Sequence, residues 1–579
     1  MNWQRPQGLA LEEPQLFLIL SLLIGIFSGL AVVCFRVTIE LGRLVLLGSS
    51  LQPPALRLLI VLPAAGLLVA GLVLRFFPAV RGSGVNQTKA AVYVYDGYIP
   101  FRTVIGKFLT SALAIGSGQS LGPEDPSLQV GAGLASALGR LTGLSREKLR
   151  LIAPLGAAAG LAAAFNSPIT AVLFVIEEVI GTWSAMALGA IVLAAVSGAV
   201  VSQWFLGDRP LFRVPAYHLG HAADLLIYAA LGIIGGFVAL AFVKLALTLR
   251  RRLRRSPRWT WYLQPAAAGL IIAIVAIRYP QVTGAGYAYV DAAMHDRYTW
   301  DVLAALTALK ILTTALSFAS GTPGGLFAPT LFIGAMLGGA VAGAARLVVP
   351  SFDGSTGVFA LIGMGTMFAG ILRAPITSIF MIIEVSGNYS IALPVMISST
   401  VAYLISRQYQ ADGMFDALSH QDGIVLPSME QMREAPVQRV EGAMITAETV
   451  ALSSTDTVRE ALTRAAPVNG TLLVQTRPGA WTDVSIDALR ALAQEGKEEL
   501  ALGSVLGVAE PLPSVYPDQS LDIALKLIVD YPYLPVVHRA DPSRLVGVIG
   551  MSEILAAYRA GATGASGSPP QPARQRAER

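Results

Sequence analysis

Four segments of this chain recur in the same order at an offset of 202 to 207 residues, so whatever it folds into has to be built twice. "KFLTSALAIGSG" at 107–118 returns as "KILTTALSFASG" at 310–321, and "SPITAVLFVIEE" at 167–178 returns as "APITSIFMIIEV" at 374–385. "RGSG" at 81–84 answers to "TGAG" at 283–286, and "GIFSGLAVVCF" at 25–35 to "GIIGGFVALAF" at 232–242. Two repeats result, spanning 15–208 and 222–408.

The repeated material is apolar. "LFLILSLLIGIFSGLAVVCF" and "LIYAALGIIGGFVALAFVKLALTL" both reach the roughly 20 residues that a helix needs to cross a bilayer. Only 14% of the residues are charged, against roughly 25% in soluble domains. The fold class is mainly α: a polytopic protein that crosses the lipid bilayer in two halves. Such halves pack about a pseudo-two-fold axis, with the site at mid-membrane where broken helices meet. Charge favours an inverted over a parallel pair. "RRRLRRSPR" at 250–258 belongs on the cytoplasmic side, while the equivalent loop "LLGSSLQPPAL" carries no charge.

Other classes lose support. The start "MNWQRPQGLALEEPQ" lacks the basic run and cleavage site of a signal peptide, so 1–14 reads as a cytoplasmic segment. Cys34 is the only cysteine and the five histidines are scattered, which speaks against a disulfide or a metal site. A net charge of +5 suits basic membrane loops, with nothing that points to nucleic acid. No nucleophile–base constellation suggests an enzyme.

Four short stretches break the apolar segments: "GSGVNQ" (82–87), "GPEDP" (122–126), "GGLFAP" (324–329) and "GMFDAL" (413–418). The second and third are repeat equivalents, with Gly122 matching Gly325 and Pro126 matching Pro329. A helix that starts inside the bilayer leaves its first N–H groups unpaired and carries partial positive charge there. Two such starts facing each other across a pseudo-axis can hold an anion without a full cationic charge.

These stretches resemble the signature segments of the CLC family of chloride channels and proton-coupled chloride transporters, whose pattern reads GSGIP, GREGP, GxFxP and a late tyrosine. The likeness runs from about residue 15 to 425. It implies a homodimer whose subunits each hold a pore between two inverted repeats with broken helices. It also implies that Ser83 and Gly84 of "GSGVN" face a central chloride, serine at that place favouring chloride over nitrate. Gly122 opens the second segment, and the N–H groups of Leu326 and Phe327 face the anion. Glu124 falls on the gating glutamate, which competes with chloride and swings out when protonated. Glu178 falls on the inner proton-transfer glutamate, which passive channels commonly lack. Phe415 takes the place of the late tyrosine.

Glu124 also makes sense without the family. A carboxylate at a buried helix start is itself the anion that satisfies the free N–H groups, and chloride can replace it only if the side chain leaves. Departures from the pattern bear on selectivity. Pro123 removes an N–H and a positive charge. Asp125 adds a second carboxylate that either repels chloride or, the favoured expectation, caps the helix and points to water. Val85-Asn86 should make the turn after Ser83 less rigid. Lys107 and its equivalent Lys310 either add positive potential to an anion path or pair with a buried acid. Glu177, Glu384 and Arg373 suit bonds to helix ends.

Residues 409–430 should hold a last membrane helix and linker. Beyond them the composition turns charged and mixed β/α. "TDTVREAL" and "DQSLDIALKLI" repeat an apolar pattern, Val458, Ala461 and Leu462 matching Leu521, Ala524 and Leu525. Residues 431–560 look like a tandem pair of CBS domains, placed in the cytoplasm below a plasma (inner) membrane. Such pairs often bind adenine nucleotides, but Gly550 and Glu553 make a poor ribose site, so a structural, dimer-supporting tail is favoured. Residues 561–579 should be disordered. The reading is chloride transport in exchange for protons, gated by Glu124, with no cofactor. A passive anion channel is the alternative, and a CBS-tailed divalent-cation transporter or sensor the third.

Overall fold

The computed structural model describes residues 13–142, 144–181, 185–208, 212, 224–348, 354–424, 426, 438–446, 452–464, 471–506 and 510–564. They fall into two units, Met1–Glu434 and Ala435–Arg579.

The first unit is helical and double. Its first half holds α1 (Glu13–Leu46), α2 (Ala55–Arg75), α3 (Gly84–Tyr93), α4 (Phe101–Gly116), α5 (Glu124–Gly139), α6 (Arg146–Phe165), α7 (Pro168–Phe174) and α8 (Ala185–Leu206). Helices α9 (Asp224–Arg255), α10 (Gln264–Arg278), α11 (Tyr287–Met294), α12 (Trp300–Ala319), α13 (Phe327–Val348), α14 (Thr356–Leu372), α15 (Pro375–Ser386) and α16 (Ala392–Tyr409) answer them in order. The same local chemistry ends and starts both copies. Asn166 and Arg373 close α6 and α14 in left-handed conformations, with φ of 56° and 60°. Pro168 and Pro375 then open α7 and α15, where a missing N–H is harmless.

Packing follows the duplication. Helix α5 lies on α6 as α13 lies on α14, and α1 on α8 as α9 on α16. Equivalent elements also meet: α2 packs on α10 and α7 on α15, as a two-fold axis between the halves requires. Gly122 and Gly325 form an antiparallel bridge, so the chain directions are reversed where the copies touch. The halves are inverted repeats.

Among the described residues, eight helices are long and apolar enough to cross a membrane. Leu56, Ile60, Leu67 and Leu68 on α2, and Val192, Val196, Val200 and Trp204 on α8, are exposed. Apolar faces of that extent suit lipid rather than water. The protein is an integral membrane protein. Helix α17 (Met414–Asp422) lies within 409–430, the stretch expected to hold the last membrane helix and linker. Nine residues rise about 14 Å, roughly half the hydrocarbon thickness. Arg250 Nη2 holds the far end of α17 through Asp422 at 2.7 Å, and Arg254 pairs with the same carboxylate.

The second unit carries β1 (Ile445–Thr446), β2 (Leu452–Ser453), β3 (Thr471–Arg477), β4 (Ala480–Ser485), β5 (Tyr533–His538) and β6 (Asp541–Gly550). They form two three-stranded sheets, ordered β2-β3-β4 and β1-β6-β5. Helices α18 (Val458–Arg464), α19 (Ile486–Gln494) and α20 (Leu502–Leu506) accompany the first sheet, and α21 (Leu521–Leu527) and α22 (Met551–Gly564) the second. The apolar pattern repeated in sequence fills two separate cores: Val458 and Ala461 are buried in one, Leu521 and Ala524 in the other. Leu452 pairs in parallel with Val474, and Val515 pairs in parallel with Val536. Each half is thus a β-α-β-β-α module, as expected of a CBS pair. Helix α22 extends past residue 560, and the rest of the segment expected to be disordered, 565–579, lies outside the described residues.

Glycines set the closest helix contacts. A Cβ added at Gly131 of α5 would stand 2.2 Å from the Gly156 carbonyl oxygen of α6, and one at Gly363 of α14 would stand 2.1 Å from that of Gly334 on α13. Gly363→Ala should therefore force α13 and α14 apart and destabilise the protein by about 1–3 kcal/mol. Thermal unfolding in detergent checks this, with Gly71→Ala, which meets nothing within 4 Å, as the neutral control.

Candidate functional site

Two helix starts are tied together by their backbones. The Gly122 N–H donates to the Gly325 carbonyl at 2.9 Å, and the Gly325 N–H returns a bond to Gly122 at 2.8 Å. Helix α5 begins two residues after Gly122 and α13 two residues after Gly325, so their unpaired first-turn N–H groups converge. Buried polar side chains brace this bridge: Ser317 Oγ donates to Gln119 Oε1 at 3.0 Å, and the Ser120 N–H donates to Ser317 Oγ at 3.2 Å. Leu326 and Phe327 sit at the α13 start, as the motif expects.

Glu124 is fully buried at the first position of α5. Its Oε2 accepts from the Ala328 N–H at 3.3 Å, one residue beyond the predicted Phe327. Its Oε1 accepts from the Tyr287 hydroxyl. A cavity of about 610 Å³ reaches Pro123 and Tyr287, and Arg36 and Arg43 line it. Positive charge lost at Pro123 is thus present on α1. Tyr287 was not singled out in the sequence, although it directly follows "TGAG", the repeat equivalent of the serine turn.

Asp125 corrects an expectation. It does not point to water: it is fully buried, and its carboxylate reaches the start of α3. Oδ2 accepts from Ser83 Oγ at 2.9 Å, and Oδ1 accepts from the Gly84 N–H at 2.5 Å. An acid in a first turn commonly satisfies its own helix. Here a facing helix start, opened by two small residues, is the stronger attractor. The turn after Ser83 is also better held than expected, because Asn86 Nδ2 donates to the Phe415 carbonyl at 2.9 Å.

On the other side of Phe327 lies an aromatic cluster. Phe174 stands edge-on to Phe327 with centroids 4.9 Å apart, and Phe415 lies 6.3 Å from Phe174 and 6.4 Å from Phe327. Glu178 sits in a π-helical turn, Val175–Ile180, that follows α7. Such turns redirect consecutive side chains and are frequent at functional sites. Glu178 Oε1 accepts from Lys89 Nζ at 2.9 Å, and the same ammonium bonds Asp416 at 3.0 Å. Lys89 is fully buried. This triad was missed; its only signal was proximity in sequence to Ser83 and Phe415.

The other acid of the turn has a different task. Glu177 Oε2 accepts from the Thr377 N–H at 2.9 Å and the Thr377 hydroxyl at 2.7 Å, capping α15. Glu384 does the same for α7, accepting from the Thr170 N–H at 2.8 Å and its hydroxyl at 2.7 Å. The expected bonds to helix ends are present, and Arg373 Nη2 adds one to the Gln410 carbonyl at 2.5 Å. Each of the Lys107 and Lys310 ammonium groups binds two backbone carbonyls, and Lys107 also attracts the buried carboxylate of Asp125. Lys107 Nζ reaches Val80 and Gly82, and Lys310 Nζ reaches Val282 and Gly284. Lys107 therefore fixes the turn that presents Ser83. In the second unit, Glu553 Oε2 accepts from the Gly550 N–H at 3.0 Å, so an acid already fills the start of α22.

Comparison with known proteins bears on the family and the fold. Residues 65–407 match the family model described as voltage gated chloride channel, and residues 503–560 match the CBS domain. The H(+)/Cl(-) exchange transporter ClcA of Vibrio campbellii is 30% identical over 420 residues, covering 70% of this chain and 89% of that protein. A putative chloride channel protein ClcB-like of Ralstonia nicotianae is 31% identical over 406 residues, covering 68% and 94%. The crystal structure of a slow cyanobacterial Cl-/H+ antiporter superposes with a TM-score of 0.64 at 24% identity, over 70% of this chain and 97% of that one.

Removing Lys89 leaves the buried Glu178 and the partly buried Asp416 without the ammonium they share. Lys89→Ala should cost about 3–5 kcal/mol of stability, most of which returns when Glu178→Gln and Asp416→Asn are added. Thermal unfolding of the single and triple variants measures the difference.

Proposed function

This chain belongs to the voltage gated chloride channel family, and from that premise we propose that it exchanges chloride for protons across a membrane. The observation that carries the reading is the place of Glu124. Each helix start is equivalent to roughly half a positive charge, so the α5 and α13 starts together balance about one monovalent anion. The Glu124 carboxylate is that anion, held by the Ala328 N–H and the Tyr287 hydroxyl.

The chemistry follows from exclusion. Carboxylate and chloride compete for the same N–H groups, so chloride enters only when Glu124 leaves. A proton arriving from the Arg36-lined cavity removes the charge that holds the side chain in place. Neutral Glu124 then moves out and an anion moves in. When the anion departs, Glu124 gives up its proton and returns. Glu178, reached from the opposite side through the Lys89–Asp416 cluster, passes the proton to or from that side. We assign the rings of Phe327 and Phe415, 6.4 Å apart, as the apolar partition between the two acids, beyond which protons and anions follow different routes. Ser83, Gly84, Gly122 and the N–H groups of Leu326 and Phe327 line the anion path, with Lys107 holding the Ser83 turn.

We assign the repeats to 15–208 and 222–408, and the tail to a CBS pair on the cytoplasmic side of a plasma (inner) membrane. The working form is a homodimer. We assign the tail a dimer-supporting role; the helix start that a nucleotide phosphate would need is occupied by Glu553. No chemical catalysis is assigned. A passive anion channel is the second reading, favoured by the fixed ammonium partner of Glu178.

Proteoliposomes decide between them. An imposed chloride gradient should drive protons through the wild type. In Glu124→Gln, chloride movement should continue while the ratio of proton to chloride flux falls at least tenfold. Glu178→Gln should likewise keep chloride flux and lose protons. A wild type that moves chloride and never protons is the channel.

A further inference from the structure

Two consecutive acids on α5 serve two different helix starts. Glu124 reaches the start of α13, and Asp125 reaches that of α3. The pocket around Asp125 is shaped to the side chain. A Cβ added at Gly84 would lie 2.5 Å from its Oδ1, and one added at Gly325 would lie 2.8 Å from its Cβ. Ser83 caps α3 and turns its hydroxyl to Oδ2, while the ammonium of Lys107 is held by the carbonyl of Gly82, one residue earlier. The carboxylate is thus bound by a hydroxyl and a helix-start N–H, the donor set that a monovalent anion takes.

We propose that Asp125 is a second internal anion, which competes with transported chloride for the Ser83 hydroxyl and the Gly84 N–H. The inference rests on the chloride reading above and deepens it. Glu124 excludes chloride from the α5/α13 starts, and Asp125 excludes it from the α3 start. Asp125 therefore lowers the affinity for chloride and sets how readily the inner part of the path fills. A chain without a carboxylate at this position keeps the α3 start open to the anion.

Equilibrium chloride binding to the purified full-length protein, measured by calorimetry, tests this. Asp125→Asn keeps the shape and removes the charge; Asp125→Gly removes the side chain. Both should bind chloride at least tenfold more tightly than the wild type, Asp125→Gly the more so. Adding Ser83→Ala to Asp125→Gly should return the affinity to within a few-fold of wild type. Unchanged affinity in both folded single variants overturns the inference, as does a gain that survives Ser83→Ala. Glu124→Gln in liposomes separates the two levels. If it moves chloride while Asp125 variants bind as wild type, only this inference fails; if it moves no anion at all, the transport reading fails and takes the inference with it.

Discussion

Two backbone hydrogen bonds between Gly122 and Gly325 hold the centre of the membrane unit together, and the rest of the site depends on them. They bring two helix starts of like partial charge close to one another inside an apolar body. That arrangement is unfavourable unless something negative lies between them. Side chains at the two bridge positions would prevent it: a Cβ on Gly122 would fall 2.8 Å from the Ala328 Cβ, and one on Gly325 3.0 Å from the Gly122 oxygen. Duplication makes the constraint self-consistent, since each half supplies one start and one glycine.

Charge placement then follows a pattern: the buried ions described above meet a helix start, backbone carbonyls or an opposite charge. Glu124 and Asp125 meet helix starts, and so do Glu177 and Glu384 across the repeat axis. Lys107 and Lys310 meet backbone carbonyls, while Lys89 joins Glu178 to Asp416. The capping acids join α7 to α15, whereas the cavity lined by Arg36 and Arg43 reaches Pro123 and Tyr287, the chain neighbour and the hydroxyl partner of Glu124. In the proposed exchange the same interaction is structural in one place and movable in the other.

Much of this was legible in the sequence, for a physical reason. Repeated segments expose symmetric pairs, so Gly122 with Gly325 and Glu177 with Glu384 could be read before any coordinates. The duplication also revealed the inversion, through unequal loop charge. Asp125 was misjudged because a first-turn acid has a satisfactory local solution, and only tertiary contact with α3 overrides it. Lys89 was invisible because its partners stand 89 and 327 residues away and no repeat copy marks them.

The central claim is that the α5 and α13 starts form an anion site that Glu124 otherwise fills. Anomalous diffraction from Glu124→Gln crystals grown with bromide locates that site directly. The account predicts a bromide peak between the two starts, within hydrogen-bonding reach of the N–H groups of Leu326, Phe327 or Ala328. Bromide peaks confined to the periphery, with none between residues 122–126 and 324–329, would contradict it.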